Sequence, residues 1–356
     1  MTETREIIIR PGRYRQFGPP EGATFCLVTN SGLLNSITIE HSGGYPEYRV
    51  FPYDEEGQIE LLLRDSIPEP AHVLVVSPNC FFRSPRQELI GPKRKLLAMA
   101  CNSTPTPMHA VAHFLDMIER TRPDRQQMLV DRFFDRGPKV DHMEIVDKRH
   151  GTRAVFEHLN GDYEWNIQAG FLDWGEQQIS PSGEISVLPA DIWQFDARLA
   201  LAINGEVALR GLPILHSGEV SFLREDQRRI FEALRSMHVS PIIAKVSKGV
   251  IVEVRAVGPE GKPALHMLER MFYVDSRYRT IWELGFAVNT TLEVIWDNMA
   301  MNEVYGGTEG CLHIGLGLTP YTQYHLDIIC PDTAIYAPDG ELLFGGDKQR
   351  QMVPAD

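Results

Sequence analysis

Leu312–Asp327 reads LHIGLGLTPYTQYHLD and carries the densest chemistry in the chain. With the backbone extended, Leu312, Ile314 and Leu316 point to one face, and His313, Gly315 and Gly317 to the other. His313 is thus a ligand-type side chain beside two positions with open space. A hydrogen-bonded core histidine, with glycines admitting a neighbouring backbone, explains that pattern equally well. In HLDII, His325 and Asp327 are two apart, so a strand gives them one face while Leu326 and Ile328 take the apolar side. Burying such a polar pair is costly unless it is paired or metal-bound. Imidazole plus carboxylate suits Zn²⁺, Fe²⁺ or Mn²⁺, and a local His–Asp hydrogen bond at a strand end is the alternative.

Two glutamates sit in comparable settings. Glu184 follows a Pro-Ser-Gly turn in PSGEISVLP, and Glu283 lies in WELGFAVN between Trp282 and Leu284. Taken singly, each reads as a carboxylate at an exposed strand edge. With His313, His325 and Asp327 they make two imidazoles and three carboxylates, enough for two divalent cations. Two-metal sites of that kind clamp and ionise a water for hydrolysis.

Around these motifs, from Phe171 onward, Gly and Pro turns separate short alternating stretches: EISVLP, ARLALAING, EVALRGLPIL and GVIVEVRAVG. Asn204-Gly205 between two such runs predicts a hairpin with a type I′ turn. Helices are expected at Glu225–Ser236 and Pro263–Phe272, where apolar residues recur at helical spacing. This half reads as a largely antiparallel α+β domain.

The first half has a different grammar. Ala23–Thr29 and His72–Ser77 are apolar, β-branched runs that predict strands, as does Lys95–Cys101. The last leads through the loop NSTPTP into a helix over Met108–Glu119, a strand–loop–helix order typical of α/β units. Thr121–Lys148 is charged and Pro-interrupted and reads as helix plus linker, with DHMEIVDKRH as a solvated charged face. The boundary is placed near residue 160, giving an α/β domain of unassigned role at 1–160 and a metal-site domain at 161–356.

Composition narrows the function classes. The chain has 356 residues, 35 Lys plus Arg against 48 Asp plus Glu, and a net charge of −13. An acidic chain without a long basic block is a poor binder of nucleic acid or anionic membrane. Apolar runs fall short of the ~18 residues of a membrane helix, and MTETREIIIRPGR has no signal-peptide core. Five scattered cysteines with no CxxC pair read as reduced thiols of a cytoplasmic protein. His109 and His113 lie i,i+4 on a helix but lack the glutamate of HExxH, so an exposed face is expected. GGTEG and GLGL make neither GxGxxG nor a Walker loop, and no GxSxG elbow appears.

Residues from about 181 to 345 resemble the catalytic domain of the thermophilic-type metallo-aminopeptidases, which have a dinuclear metal site and no HExxH. The matching stretches are PSGEISVLP, ELGFAVN, Asn298 and Glu303 ahead of GGTEGCLHIGLG, and HLDII followed by a terminal hairpin, IYAPDGELLFGGD. The resemblance implies a fold of metallo-aminopeptidase type, with Glu184, Glu283, His313, His325 and Asp327 as metal ligands, and Glu283 is read as a bridging ligand or the general base. It implies one or two divalent ions (Zn, Mn or Co), a peptide or peptide-like substrate and a homodimer. The family's tyrosine after the first histidine aligns with Pro320, and Tyr321, one place later, is the catalytic candidate. The 12-residue spacing from His313 to His325 is also short for the family. These departures motivate an alternative, a non-catalytic homologue that binds a peptide, such as a precursor in natural-product tailoring. HIGLGLTP and HLDI are also similar to the 2,5-dihydroxypyridine dioxygenases, which would make His313, His325 and Asp327 a facial triad for one Fe(II). Those enzymes lack the first glutamate, so Glu184 favours the two-metal reading.

Overall fold

The computed structural model describes residues 7–99, 106–181, 183–190, 192, 199–216, 223–289, 310–318 and 321–345. Asn298, Glu303 and Pro320 lie outside them, as do most of NSTPTP and of GGTEG. The fold is α+β, with two compact units: Met1–Gln127 with Gln168–Ser182 and Asn289–Val304, and Met128–Ile167 with Gly183–Val288 and Tyr305–Asp356.

The first unit is α/β. Strands β1 (Ile7–Ile9) and β3 (Ile37–Ile39) form a small parallel pair. Strands β2 (Thr24–Thr29), β4 (Tyr48–Pro52), β5 (Ala71–Val76), β6 (Arg94–Met99) and β10 (Gln177–Ser180) form a parallel sheet in the order β10-β6-β5-β2-β4. Every residue of β2 and β5 is buried, because a parallel sheet is covered on both faces and its central strands must be apolar throughout. Helix α1 (Gln58–Asp65) packs Ile59, Leu62 and Leu63 against Val73, Val75 and Leu96. The short α2 (Gln87–Ile90) and the helix α3 (Met108–Arg120) follow, the latter where helical spacing places it.

His72 of β5 is fully buried. Its Nδ1 lies 2.8 Å from the Tyr45 hydroxyl, and its ring stacks on Phe17 with centroids 4.8 Å apart. Burial, reinforced by the charge of Lys95, pushes the imidazole down to about 3.

The second unit is built on two antiparallel sheets. One runs β15 (Val250–Ala256), β14 (Ile242–Ser247), β12 (Ile203–Leu209), β8 (Thr152–Phe156), β7 (Met143–Asp147), β19 (Thr333–Tyr336), β20 (Leu342–Gly345). The other runs β13 (Pro213–His216), β18 (His325–Cys330), β17 (Leu312–Leu316), β16 (Ile281–Ala287), β11 (Glu184–Pro189), β9 (Tyr163–Gln168). Helices α5 (Arg224–Leu234) and α6 (Lys262–Val274) fall where expected. Among the described residues no helix is long and apolar enough to cross a membrane.

Two expectations change. Asn204-Gly205 makes no hairpin turn but lies inside β12, paired with β8 and β14. A Cβ on Gly205 would stand 2.4 Å from the Arg153 carbonyl, so this glycine serves close strand approach rather than a turn. The charged stretch after residue 121 forms α4 (Pro123–Arg136) and then β7, whose Met143, Ile145 and Asp147 are buried and not a solvated face. The chain first passes between the two units within α4, because β7 and β8 pair with β19 and β12 of the second unit.

Phe286 of β16 packs with Phe133 of α4 (ring centroids 4.9 Å apart), Phe344 (5.4 Å) and Trp165 (6.0 Å). That aromatic core anchors one side of β16. Gly285, its neighbour in sequence, faces the other way.

Candidate metal centre

Four neighbouring strands of the six-stranded sheet supply the polar face. Glu184 comes from β11, Glu283 from β16, His313 from β17, and His325 with Asp327 from β18. The cross-strand register sets four of the five donors against a residue of minimal bulk, while His325 pairs with His216 of β13. Gly285 faces His313, Gly315 faces both Glu283 and Asp327, and Glu184 faces Ala287. A Cβ on Gly285 would stand 1.9 Å from His313 Cε1, and one on Gly315 would stand 2.7 Å from Glu283 Cβ. The two glycines therefore form the floor on which the donor side chains lie. Just before Glu283, the pairing of β16 with β17 slips between Ile281 and Glu283, a β-bulge of the kind that re-aims side chains beside functional sites.

The five donors converge. His313 Nε2 lies 3.8 Å from Glu184 Oε1, 3.9 Å from Glu283 Oε1 and 3.9 Å from Asp327 Oδ1. His325 Nε2 lies 3.4 Å from Glu283 Oε2 and 2.9 Å from Asp327 Oδ1. Glu283 thus turns one carboxylate oxygen to each imidazole. Two donor groups result, Glu184–Glu283–His313 and Glu283–His325–Asp327, each with donor atoms within 4.8 Å of one another. The five side chains are between 2% and 14% exposed.

Burying so many ionisable groups couples their charges. Burial opposes the charge of His313, yet Glu184, Asp327 and Glu283 outweigh it and push the imidazolium up to about 10. His325 is likewise disfavoured by burial but held well above the usual histidine range by Asp327 and Glu283. Burial pushes Glu184 up to about 7, against the pull of His313. Burial would raise Glu283 and Asp327 too, but the imidazoles hold both below the usual carboxylate range. The protein's own counter-charges for the three carboxylates are thus two imidazolium protons.

The arrangement fits divalent ions. Donors bound tetrahedrally at Zn–N and Zn–O distances of about 2.1 Å stand roughly 3.4 Å apart, comparable to most of the separations here. The donor set is nitrogen and carboxylate oxygen throughout, and the glycine floor leaves the space that side chains would fill. The His325 Nδ1 lies 2.7 Å from the Gly317 carbonyl, an orientation that leaves Nε2 for the donor group.

All five expected ligands are brought together. Tyr321 packs against an apolar cluster of Ile192, Trp282 and Leu318. His109 is exposed and His113 half-buried, and neither joins a metal-competent group among the described residues. Sequence reading did not single out Gly285, the Gly317 carbonyl, or Ser186, which hydrogen-bonds Glu184. A glycine two residues past Glu283 and the alternation Glu184-Ile185-Ser186 were the available signals for the first and last.

The fold is shared with 2,5-dihydroxypyridine dioxygenase from Pseudomonas putida KT2440. The match covers 94% of this chain and 92% of that one, with a TM-score of 0.55 and 14% identity. AmpT from Thermus thermophilus also matches, over 93% of this chain and 95% of that one, with a TM-score of 0.43 and 12% identity. The likeness to the dioxygenases, first read from HIGLGLTP and HLDI, therefore extends, at the level of fold, over nearly the whole chain. No protein-family model matches the sequence, and no curated protein matches it.

Proposed function

We propose that this protein is a metal-dependent hydrolase acting on a peptide or peptide-like substrate. The observation behind this reading is the position of Glu283, whose two oxygens face two different imidazoles at 3.9 and 3.4 Å. One carboxylate shared by two donor groups is the arrangement a two-ion centre needs. In this reading Glu184, Glu283 and His313 hold one divalent ion (Zn, Mn or Co), and Glu283, His325 and Asp327 hold the other. Bound ions of this class supply a Lewis acid and bring the pKa of coordinated water toward ~7. As the alternative to bridging, Glu283 would keep an oxygen free to take the proton of the attacking water, since a carboxylate is an adequate base at that pKa. Tyr321, packed next to Trp282 on the Glu283 strand, contributes a substrate contact from its apolar cluster.

A second reading, a mononuclear Fe(II) ring-cleaving dioxygenase, draws support from Asp327. Its Oδ1 faces both imidazoles, at 2.9 and 3.9 Å, so His313, His325 and Asp327 alone can form a facial triad. The fold shared with the 2,5-dihydroxypyridine dioxygenase points the same way.

Elemental analysis of protein purified without chelators or a metal-binding tag separates the readings, with His325→Ala as control. Two zinc-like ions per chain, depleted in the variant, support the hydrolase. One iron per chain moves the assignment to the dioxygenase. An absence of bound metal rejects both and leaves a peptide-binding protein without catalysis.

A further inference from the structure

The segment joining His313 to His325 is short and heavily braced. Gly317, just past the end of β17, has φ +71°, a left-handed conformation that suits glycine. A Cβ there would stand 2.7 Å from Tyr278 Cε1, 2.7 Å from the Tyr324 carbonyl oxygen and 2.8 Å from Thr322 Oγ1. Thr322 ties the segment from within. Its Oγ1 accepts from Leu318 N at 2.8 Å, its hydroxyl donates to the Tyr324 carbonyl at 2.7 Å, and its N donates to the Leu318 carbonyl at 2.8 Å. Tyr278, from the 3-10 turn Ser276–Arg279, closes it from outside, its hydroxyl accepting from Tyr324 N at 3.0 Å. Both side chains are buried. Leu318 N, held by Thr322, belongs to the same peptide plane as the Gly317 carbonyl, and Tyr324, held by Tyr278, directly precedes His325, whose Nδ1 lies 2.7 Å from that carbonyl.

We infer that Tyr278 and Thr322 are positioning residues for the His325 half of the centre. They fix the Gly317 carbonyl, which in turn fixes the ring plane and tautomer of His325 and turns its Nε2 toward Glu283 and Asp327. This inference rests on reading the five donors as a metal centre. The control is one-sided. His313 Nδ1 is buried with no hydrogen-bond partner among the described residues, so the Glu184–Glu283–His313 group has no equivalent brace there. Partners behind a ligating imidazole commonly set metal affinity by ~10–100-fold. A brace on one histidine alone therefore makes the two half-sites separately adjustable.

The test uses the full chain carrying Tyr278→Phe, Thr322→Val or the conservative Thr322→Ser. Tyr163→Phe is a matched control, because its hydroxyl also accepts a backbone N–H, that of Ala202 at 3.0 Å, in the same unit. Zinc affinity is read by competition with a chromophoric chelator, and folding by thermal unfolding. Tyr278→Phe and Thr322→Val are expected to weaken one zinc by ~10–100-fold and leave the other unchanged. Thr322→Ser retains tight binding at both sites, and Tyr163→Phe alters stability without altering affinity. Equal zinc affinity in the wild type, Tyr278→Phe and Thr322→Val overturns the positioning role, as does equal weakening of both sites. If wild-type protein binds no zinc, the metal reading fails instead. The ¹⁵N resonances of the His325 ring then carry the test. A hydrogen-bonded Nδ1–H in the wild type that is lost in Tyr278→Phe supports positioning, and an unchanged resonance overturns it.

Discussion

Gly285 lies directly across the sheet from His313, and the imidazole occupies the space that a side chain at residue 285 would take, with Cε1 1.9 Å from the would-be Cβ. The centre is therefore specified as much by a missing side chain as by the donors themselves. Gly285→Ala is expected to force His313 off its position and to destabilise the fold by about 1–3 kcal/mol, as overpacking does. Zinc content and urea unfolding of the variant check this. Full zinc occupancy in a stable Gly285→Ala protein would contradict the placement of the ring.

The shared carboxylate makes the two glutamates unequal. Glu283→Gln is expected to weaken both ions, because both donor groups use it, whereas Glu184→Gln weakens only the one bound with His313. Isothermal titration with zinc resolves the two stoichiometries. Identical losses in the two variants would argue against Glu283 as the common member.

His72 gives a pH dependence in the first unit. Its native value is near 3, while the unfolded imidazole titrates near ~6.5, so the unfolded chain binds the extra proton between those limits. Stability from this group is complete above pH ~6.5 and declines as the pH falls toward 3, by up to about 1.4 kcal/mol per pH unit. Chemical unfolding between pH 7 and 5 should show a shallower loss in His72→Gln than in the wild type. Parallel curves would place the burden on other groups.

Phe133 supports the opposite side of β16 through its contacts with Phe286, Trp165 and Phe344. Phe133→Ala is expected to cost about 3–5 kcal/mol, the range for a buried aromatic truncated to alanine. Urea unfolding followed by near-UV circular dichroism measures it, and a change under ~1 kcal/mol would show that the cluster repacks freely.

Much of the centre was readable from the sequence because the donors sit in strands, where period-two alternation assigns a face directly. His313, His325, Asp327 and Glu184 each stand among apolar neighbours that declare the other face. The same rule misread 141–150, because the charges of DHMEIVDKRH outnumber the three residues, Met143, Ile145 and Asp147, that β7 buries. Asn204-Gly205 misled for a different reason. A glycine suits a tight turn and a close strand crossing equally, and only the position of Arg153 on β8 decides between them. The brace on His325 was illegible because its working atom is a backbone carbonyl, and its supports, Tyr278 and Thr322, lie far apart in sequence. Seven strands pairing as 15-14-12-8-7-19-20 likewise leave no local trace of their order.

The pairing of Glu184 with Ala287 also dictates a chronology. β16, β17 and β18 all lie within about fifty consecutive residues, and their ladders close shorter loops than the one that brings in β11. β11 must reach back across roughly a hundred residues to join them, and closing long loops is the slow part of building a sheet. Glu283, His325 and Asp327 can therefore meet while the sheet is still incomplete, whereas Glu184 joins later. In the proposed two-ion reading, the half-site with His325 would then accept an ion earlier in refolding than the half-site with His313.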